Sequence, residues 1–177
     1  MRKVVLGLAV SLDGFIEGPN GEFDWCFTDQ DYGLTEFFAE IDALFMGRKS
    51  YELAQKLGDA AAIPGMPPVT EYIFSDTLSS VKPGAIQIRR KDAIARVKQI
   101  KAEEGKNIWL YGGAELTSVL VSEGMVDELW LSVHPILLGS GKPLFTGLKS
   151  RVELKLVENK QYETGLVSLK YSIKPKG

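Results

Sequence analysis

The sequence predicts a three-layer α/β/α domain: one mixed, mainly parallel sheet with helices on its faces and an antiparallel hairpin at its end. Three observations predict it. Val4 to Val10 is a continuous apolar run, the pattern of a strand buried on both faces. Short apolar runs then alternate with segments of helical period, which is the rhythm of βαβ units. After Val133 the period falls to two in VELKLVE (152–158) and LVSLKYSI (166–173), and the loop NKQYETG (159–165) joins these as a hairpin.

Each element follows in turn. Leu34, Phe37, Phe38 and Ile41 recur at helical spacing and mark one apolar helix face. Ala43 to Met46 reads as a short buried strand, and Ser50 to Leu57 as a helix. AAIPGMPP (61–68) is a loop by its prolines and glycine. Tyr72 to Phe74 is a strand ending at Ser75-Asp76, and Ile86 to Ile88 a further one. Ala93 to Glu104 is a helix with Ile94, Val97 and Ile100 inward and Gly105 as its C′ residue. Ile108 to Tyr111 is a strand, Ala114 to Glu123 a helix closed by Gly124, and Glu128 to Val133 a strand. No repeat, linker or low-complexity tract divides the chain, so residues 1–177 are expected to form a single domain.

Composition narrows the function. The chain is 45% hydrophobic and 25% charged, ordinary for a globular protein, and its net charge of −2 argues against a general nucleic-acid or anionic-membrane surface. A single cysteine, Cys26, excludes an intrachain disulfide and a multi-cysteine metal site, and suits a reducing compartment. MRKVVLGLAV imitates a signal peptide, but Ser11-Leu12-Asp13-Gly14 follows without a small-residue cleavage pattern, so a first strand is the better reading. No apolar stretch is long enough to span a bilayer. A cytoplasmic protein that binds neither membrane, nucleic acid nor metal is expected.

In an open α/β sheet, ligands bind outside the carboxyl ends of the strands. Four such ends carry suggestive residues: SLDGFIEG, MGRKSY, FSD and GGAEL. Gly112-Gly113 before a helix either allow close strand–helix packing or leave backbone N–H groups bare for an anion. Gly47-Arg48-Lys49-Ser50 also opens a helix, with two cations and a hydroxyl at its positive end. Two anion-friendly helix starts in one sheet point to a ligand with linked phosphates, such as a dinucleotide. No G-x-G-x-x-G follows a strand, GSGKP (139–143) lacks the first glycine and the Ser/Thr of a P-loop, and neither H-E-x-x-H nor G-x-S-x-G is present. The one histidine, His134, lies at a strand end before Pro135 and reads as a hydrogen-bonded structural residue.

Taken in order, VVLGLAVSLDGFIEG, DALFMGRKSYE, YIFSD, IWLYGGAEL and VDELWLSVHPILLGSGKPLF resemble the dihydrofolate-reductase-like superfamily. They are most like the reductase domain of bacterial riboflavin biosynthesis (RibD C-terminal-like) and its single-domain relatives. The resemblance implies an NADPH-dependent oxidoreductase, often a homodimer, acting on a pyrimidine- or pterin-type small molecule. Its nearest activity is 5-amino-6-(5-phosphoribosylamino)uracil reduction; dihydrofolate reduction, a non-catalytic NADPH-binding module and a purely structural dimeric domain are the alternatives. It places Gly47, Arg48, Lys49 and Ser50 at the cofactor, with Arg48 near the adenosine 2′-phosphate and Ser75 beside it. Gly112, Gly113, Ala114, Glu115 and Leu116 would wrap the pyrophosphate. Ala9 and Ile16 would flank the nicotinamide, and Ser11 to Glu17 would be a mobile loop closing over it. Ser11, Trp25 and Asp31 are the candidate substrate contacts, and Asp31 and Asp13 the candidate catalytic carboxylates. Asp31 is the proposed proton donor, a role that needs a pKa raised by burial; its plainer reading is a helix-start residue.

Two departures qualify the substrate. Folate enzymes tend to carry an arginine after a Pro-Gly ahead of the third strand, whereas Met66 follows Pro64-Gly65 here and cannot pair with a carboxylate. The ribosylaminopyrimidine phosphate needs a cationic clamp that no residue of the sequence identifies. The deaminase signature usually fused to that reductase is absent.

Overall fold

The computed structural model describes residues 1–174, with the backbone alone at 60 and 61. Ten strands and four α-helices run in the order β1 (Val4–Ser11), β2 (Phe15–Glu17), α1 (Leu34–Ala39), β3 (Ile41–Gly47), α2 (Arg48–Leu57), β4 (Thr70–Phe74), β5 (Ile86–Ile88), α3 (Ala93–Ala102), β6 (Asn107–Gly112), α4 (Ala114–Ser122), β7 (Glu128–His134), β8 (Lys142–Pro143), β9 (Leu154–Gln161) and β10 (Val167–Ile173). Eight strands form one sheet in the order β5-β4-β3-β6-β1-β7-β10-β9. The pairs from β5 across to β7 are all parallel, and β10 runs antiparallel to both β7 and β9. The mixed sheet and its terminal hairpin therefore stand as the sequence predicts. The carboxyl ends of β1, β3, β4, β5, β6 and β7 share one rim.

Alternation along the buried strands builds the two cores. Ala43 and Phe45 of β3 join Val4, Leu6, Ile108 and Leu110 on one face, under Val97 and Ile100 of α3 and Leu120 of α4. Leu44 and Met46 turn the other way, to Val5, Trp109 and Trp130, under Phe37 and Phe38 of α1 and Tyr51 of α2. Apolar residues are required on both sides of these strands, which is why they read as unbroken runs.

The structure corrects four details. Ile41 belongs to β3, paired with Asn107, and α1 stops at Ala39. Its side chain still packs with Phe37 and Phe38, so the helical spacing was real while the backbone changed. α3 ends at Ala102, and Gly105 is not its C′ residue. Gly105 has φ +148°, and an added Cβ would lie 2.7 Å from Asp42 Oδ2 and 3.1 Å from the Arg2 guanidinium. Gly124 does close α4: its N–H donates to Val121 O and that of Met125 to Leu120 O, a Schellman ending. β9 is the outer strand, and all eight of its residues are exposed rather than alternating. Finally, the short pair β2–β8 was not foreseen.

Candidate functional site

At the rim, β3 and β6 each run through glycine straight into a helix. Gly47, at φ −77°, ends β3 and precedes α2. Gly112 (φ +131°) and Gly113 (φ +66°) end β6 and precede α4, both in conformations that side chains rarely adopt. The two junctions touch: a Cβ built on Gly47 would lie 3.6 Å from Gly112 O and 3.9 Å from Gly113 Cα. A Cβ built on Gly112 would meet nothing within 4 Å. A Cβ at Gly47 or Gly113 would meet the other junction at ordinary van der Waals distance, while Gly112 faces open space. No side chain caps either helix start. The first-turn N–H groups, including those of Ala114, Glu115 and Leu116, have no intrahelical acceptor and point to the rim.

Charge surrounds these helix starts. The Arg48 guanidinium holds Glu52 one turn on, at 2.8 and 3.0 Å. Lys49 is exposed and Ser50 half-buried, its Oγ 3.7 Å from where a Gly113 Cβ would stand. Ser75 is buried, and its hydroxyl accepts the N–H groups of Thr77 and Leu78 at 3.2 and 3.1 Å. Its first role is therefore to shape the turn after β4. Sequence reasoning missed Arg89 and Arg90, which follow β5 on the same rim. Arg89 donates to Asp76 O at 2.6 Å; Arg90 pairs with Glu115 of α4 at 3.0 Å. The run IRRKD at a strand end was the available signal. Exposed pairs such as Arg48–Glu52 and Arg90–Glu115 are worth no more than about 1 kcal/mol, so neither arginine is firmly committed to its carboxylate.

The segment after β1 is held down. Ser11 Oγ donates to Asp13 Oδ1 at 2.6 Å and accepts the Phe15 N–H at 2.9 Å. Asp13 also accepts the N–H groups of Leu138 and Gly139 at 3.1 and 2.8 Å. Leu12 N–H donates to Ile136 O, and Leu144 N–H to Gly14 O, both at 2.9 Å. Residues 11–17 and 136–144 are thereby one tied unit. Buried Ser11 thus engages its hydroxyl inside the loop, and Asp13 clamps the loop to residues 138 and 139. The Ser11 hydroxyl, helped by the two N–H groups, holds the Asp13 carboxyl below its ordinary range. Ile16 packs on the apolar core, and Ala9 is half-buried near the end of β1.

Asp31 is exposed, before α1. Thr35 donates to it through hydroxyl and N–H, at 2.8 and 3.0 Å, and Gly33 N–H at 3.0 Å. The Thr35 hydroxyl leads these in lowering its pKa. An ionised helix-start carboxylate has no proton to give at neutral pH, so the general-acid expectation is corrected in favour of the plainer reading.

Half-buried Trp25 donates to Glu22 O at 3.3 Å and meets the His134 ring edge-on at 5.3 Å. His134 is buried, with Nδ1 2.9 Å from Ser132 O and Nε2 accepting the Phe27 N–H at 3.1 Å. That pattern assigns the proton to Nδ1, and burial lowers the ring's pKa below its ordinary 6.5. The sign follows: above 6.5 both folded and unfolded chains are neutral, while below it the unfolded chain takes a proton that the folded one resists. The melting temperature is expected to fall as pH drops below 6.5, and His134→Gln to flatten that slope in a thermal-melt series. An unchanged slope would assign the pH dependence to other groups. The Cys26 thiol is pushed up to about 11 by burial, so it is no nucleophile.

Beside the rim, on the α2 face, lies a cavity of about 350 Å³. Tyr51, Ala54 and Gln55 line it from α2, Leu44 and Met46 from β3, and Tyr111 where β6 gives way to Gly112. Among the described residues, no group of His, Cys, Asp and Glu is placed to hold a metal ion, and no helix is long and apolar enough to cross a membrane.

Known proteins resemble this chain in sequence and in fold. The uncharacterized protein YyaP of Bacillus subtilis (strain 168) is 42% identical over 96% of this chain and 94% of its own. The crystal structure of a putative riboflavin biosynthesis protein from Shewanella sp. PV-4 superposes with a TM-score of 0.78 at 25% identity, covering 99% of this chain and 100% of that one. Dihydrofolate reductase from Enterococcus faecalis, complexed with NADP(H), shares the fold with a TM-score of 0.68 at 16% identity, covering 98% and 97%. The model of the RibD C-terminal domain matches residues 2–168, and with that match over nearly its whole length the chain belongs to the RibD C-terminal domain family, on a dihydrofolate-reductase-like fold.

Proposed function

We propose that this protein is an NADPH-dependent reductase of a pyrimidine- or pterin-type small molecule. One observation carries the reading: two uncapped helix starts meet through Gly47 and Gly113, beside open space at Gly112. That is a cradle for two linked phosphates, where bare N–H groups and two positive dipole ends supply the counter-charge. Arg48, with Arg90 across the rim, supplies cations for a further phosphate on the adenosine. Ala9 and Ile16 border the inner end, where the nicotinamide would lie.

When bound, the cofactor supplies the hydride, and the chain's own residues orient and enclose the reactants. Asp13 acts on this through the loop, holding residues 11–17 against 136–144. Asp31 acts through α1, fixing the start of that helix. Met66 lines the cavity, where a folate tail would need a cation. This favours a substrate other than dihydrofolate.

Arg48→Ala is expected to weaken NADPH binding about tenfold or more, the scale of a charge-assisted contact to phosphate. NADH binding should change far less. Fluorescence titration of both coenzymes checks it, and equal losses would remove Arg48 from the 2′-phosphate site. The open edge of β9, with Leu154, Leu156 and Val157 exposed, further supports pairing of two copies. A dimer mass by light scattering at micromolar concentration is expected; a monomer would refute the pairing.

A further inference from the structure

We infer that a second cavity, at the amino end of the sheet and opposite the glycine rim, binds a small aliphatic polyamine through the Tyr72 hydroxyl and the Glu103 and Glu104 carboxylates. The site stands whether or not the protein is a reductase. The cavity measures about 570 Å³ and lies beside the starts of β3 and β4, against the loop that leaves α3. That loop is pinned in place. The Arg2 guanidinium donates to Asp42 Oδ1, its Nε donates to Lys106 O at 2.6 Å, and the Lys106 N–H donates to Asp42 Oδ2 at 2.9 Å. Gly105 packs so closely on this pair that a side chain there would have no room. Arg2 is buried and is the one cation among the described lining residues, and its partner Asp42 stands beside it. Glu103 and Glu104 therefore leave the lining with a net negative charge.

Two independent features show that this cavity lacks a cation. Glu103 and Glu104 directly follow α3, at the negative end of its dipole, where a positive charge is favoured and a carboxylate is not. Neither carboxylate has a hydrogen-bond or ion-pair partner among the described residues. The neighbouring cations are turned elsewhere, Arg96 to Gln99 Oε1 and Lys106 Nζ to Ala39 O. The other feature is Tyr72. Its ring lies in the core with Val97 and Ile100 of α3, edge-on to Phe45 at 5.6 Å, and the residue is only 6% exposed. Its hydroxyl has no hydrogen-bond partner among the described residues, although none of their fully buried polar side-chain atoms is left unpaired. The hydroxyl therefore opens on the cavity that Tyr72 lines. Burial, helped by Glu103, raises its pKa, so the phenol is uncharged at neutral pH and its oxygen can accept from an ammonium. One ammonium would reach Tyr72 and another the two glutamates, with the methylenes between them along Pro68 and Val69. A bare metal ion fits worse: no group of His, Cys, Asp and Glu among the described residues is placed to hold one, and the cavity is many times the volume of a water molecule.

The test is a calorimetric titration of the full chain with spermidine at about 0.15 M salt, where attraction to scattered surface charge is largely screened. One saturable site is expected, and magnesium ions at the same concentration should not displace the amine. Tyr72→Phe keeps the packed ring and removes only the hydroxyl; it should weaken spermidine about tenfold, the scale of one charge-assisted hydrogen bond. Glu103→Gln and Glu104→Gln together should weaken it at least about tenfold as well. Both glutamates are exposed, so this double variant decides the matter even if Tyr72→Phe fails to fold. Glu36→Gln, at an exposed position on α1, removes one negative charge far from the cavity and should change nothing. Absence of saturable binding, displacement by magnesium, an equal loss in Glu36→Gln, or indifference to the glutamate pair or to a folded Tyr72→Phe would overturn the inference. None of these outcomes bears on NADPH, whose titration tests the rim separately.

Discussion

Gly112→Ala is expected to lower NADPH affinity about a hundredfold, the largest single effect on binding that the rim predicts. The added Cβ would stand in the space at Gly112 that no protein atom occupies within 4 Å, beside the N–H groups of α4. It would also hold alanine at φ +131°, at a cost of about 1–3 kcal/mol to folding. Those two consequences must be separated, and Gly47→Ala separates them. Gly47 has an ordinary φ of −77°, and its added Cβ would meet its neighbours at 3.6 to 3.9 Å, normal van der Waals contact. Gly47→Ala should therefore melt within about two degrees of wild type, since unstrained surface changes stay within about 0.5 kcal/mol. Yet its methyl group fills the seam between the two helix starts. Weakened NADPH binding in both variants, with normal melting at Gly47, identifies a ligand cradle. Normal NADPH binding in both, with only Gly112→Ala destabilised, would mean that the glycines serve packing alone.

The parts of this protein legible in its sequence are those where one local pattern decides the outcome. The centres of β1, β3 and β6, at 4–10, 43–46 and 108–111, are apolar runs because helices cover both faces of the sheet there. The end of α4 was readable because Gly124 alone supplies the left-handed closing residue. Where two patterns overlap, sequence fails. Ile41 satisfies both the α1 spacing and the β3 run, and only its pairing with Asn107 decides between them. β9 looks half-buried by alternation, but its place at the sheet edge leaves both faces wet. The site divides similarly. The glycine–helix junctions could be found because glycine before a helix has few other uses. The commitments of Ser11, Asp13 and Ser75 could not, because each depends on partners that only the folded chain supplies. Tyr111 was hidden for another reason: an aromatic residue closing an apolar strand reads as core, although the residue is 37% exposed and lines the cavity.

Gly141→Ala is the corresponding test of the loop. Gly141 sits at φ +144° in the turn before β8, and an added Cβ would lie 2.1 Å from Glu17 O. The obstruction is backbone, 3.2 Å from Glu17 C and Gly18 Cα as well, so no side-chain rotation relieves it. Strain and overpacking each cost about 1–3 kcal/mol, whereas β2 and β8 meet only at Phe15–Pro143 and Glu17–Lys142. The pair is weaker than the clash, so the clash should part the strands rather than unfold the sheet. The melting temperature is then expected to fall by only a few degrees. Amide hydrogen exchange should accelerate at Phe15 to Glu17 and at Leu144, whose N–H is tied to Gly14 O. Turnover should drop by more than tenfold, because a displaced loop admits water to the reaction. Asp13→Ala removes the clamp to Leu138 and Gly139 without a clash, and should reproduce the exchange and turnover effects in weaker form. Fast exchange with full turnover would show that residues 11–17 need not be seated for hydride transfer; unchanged exchange in both variants would show that the loop is held by contacts other than these.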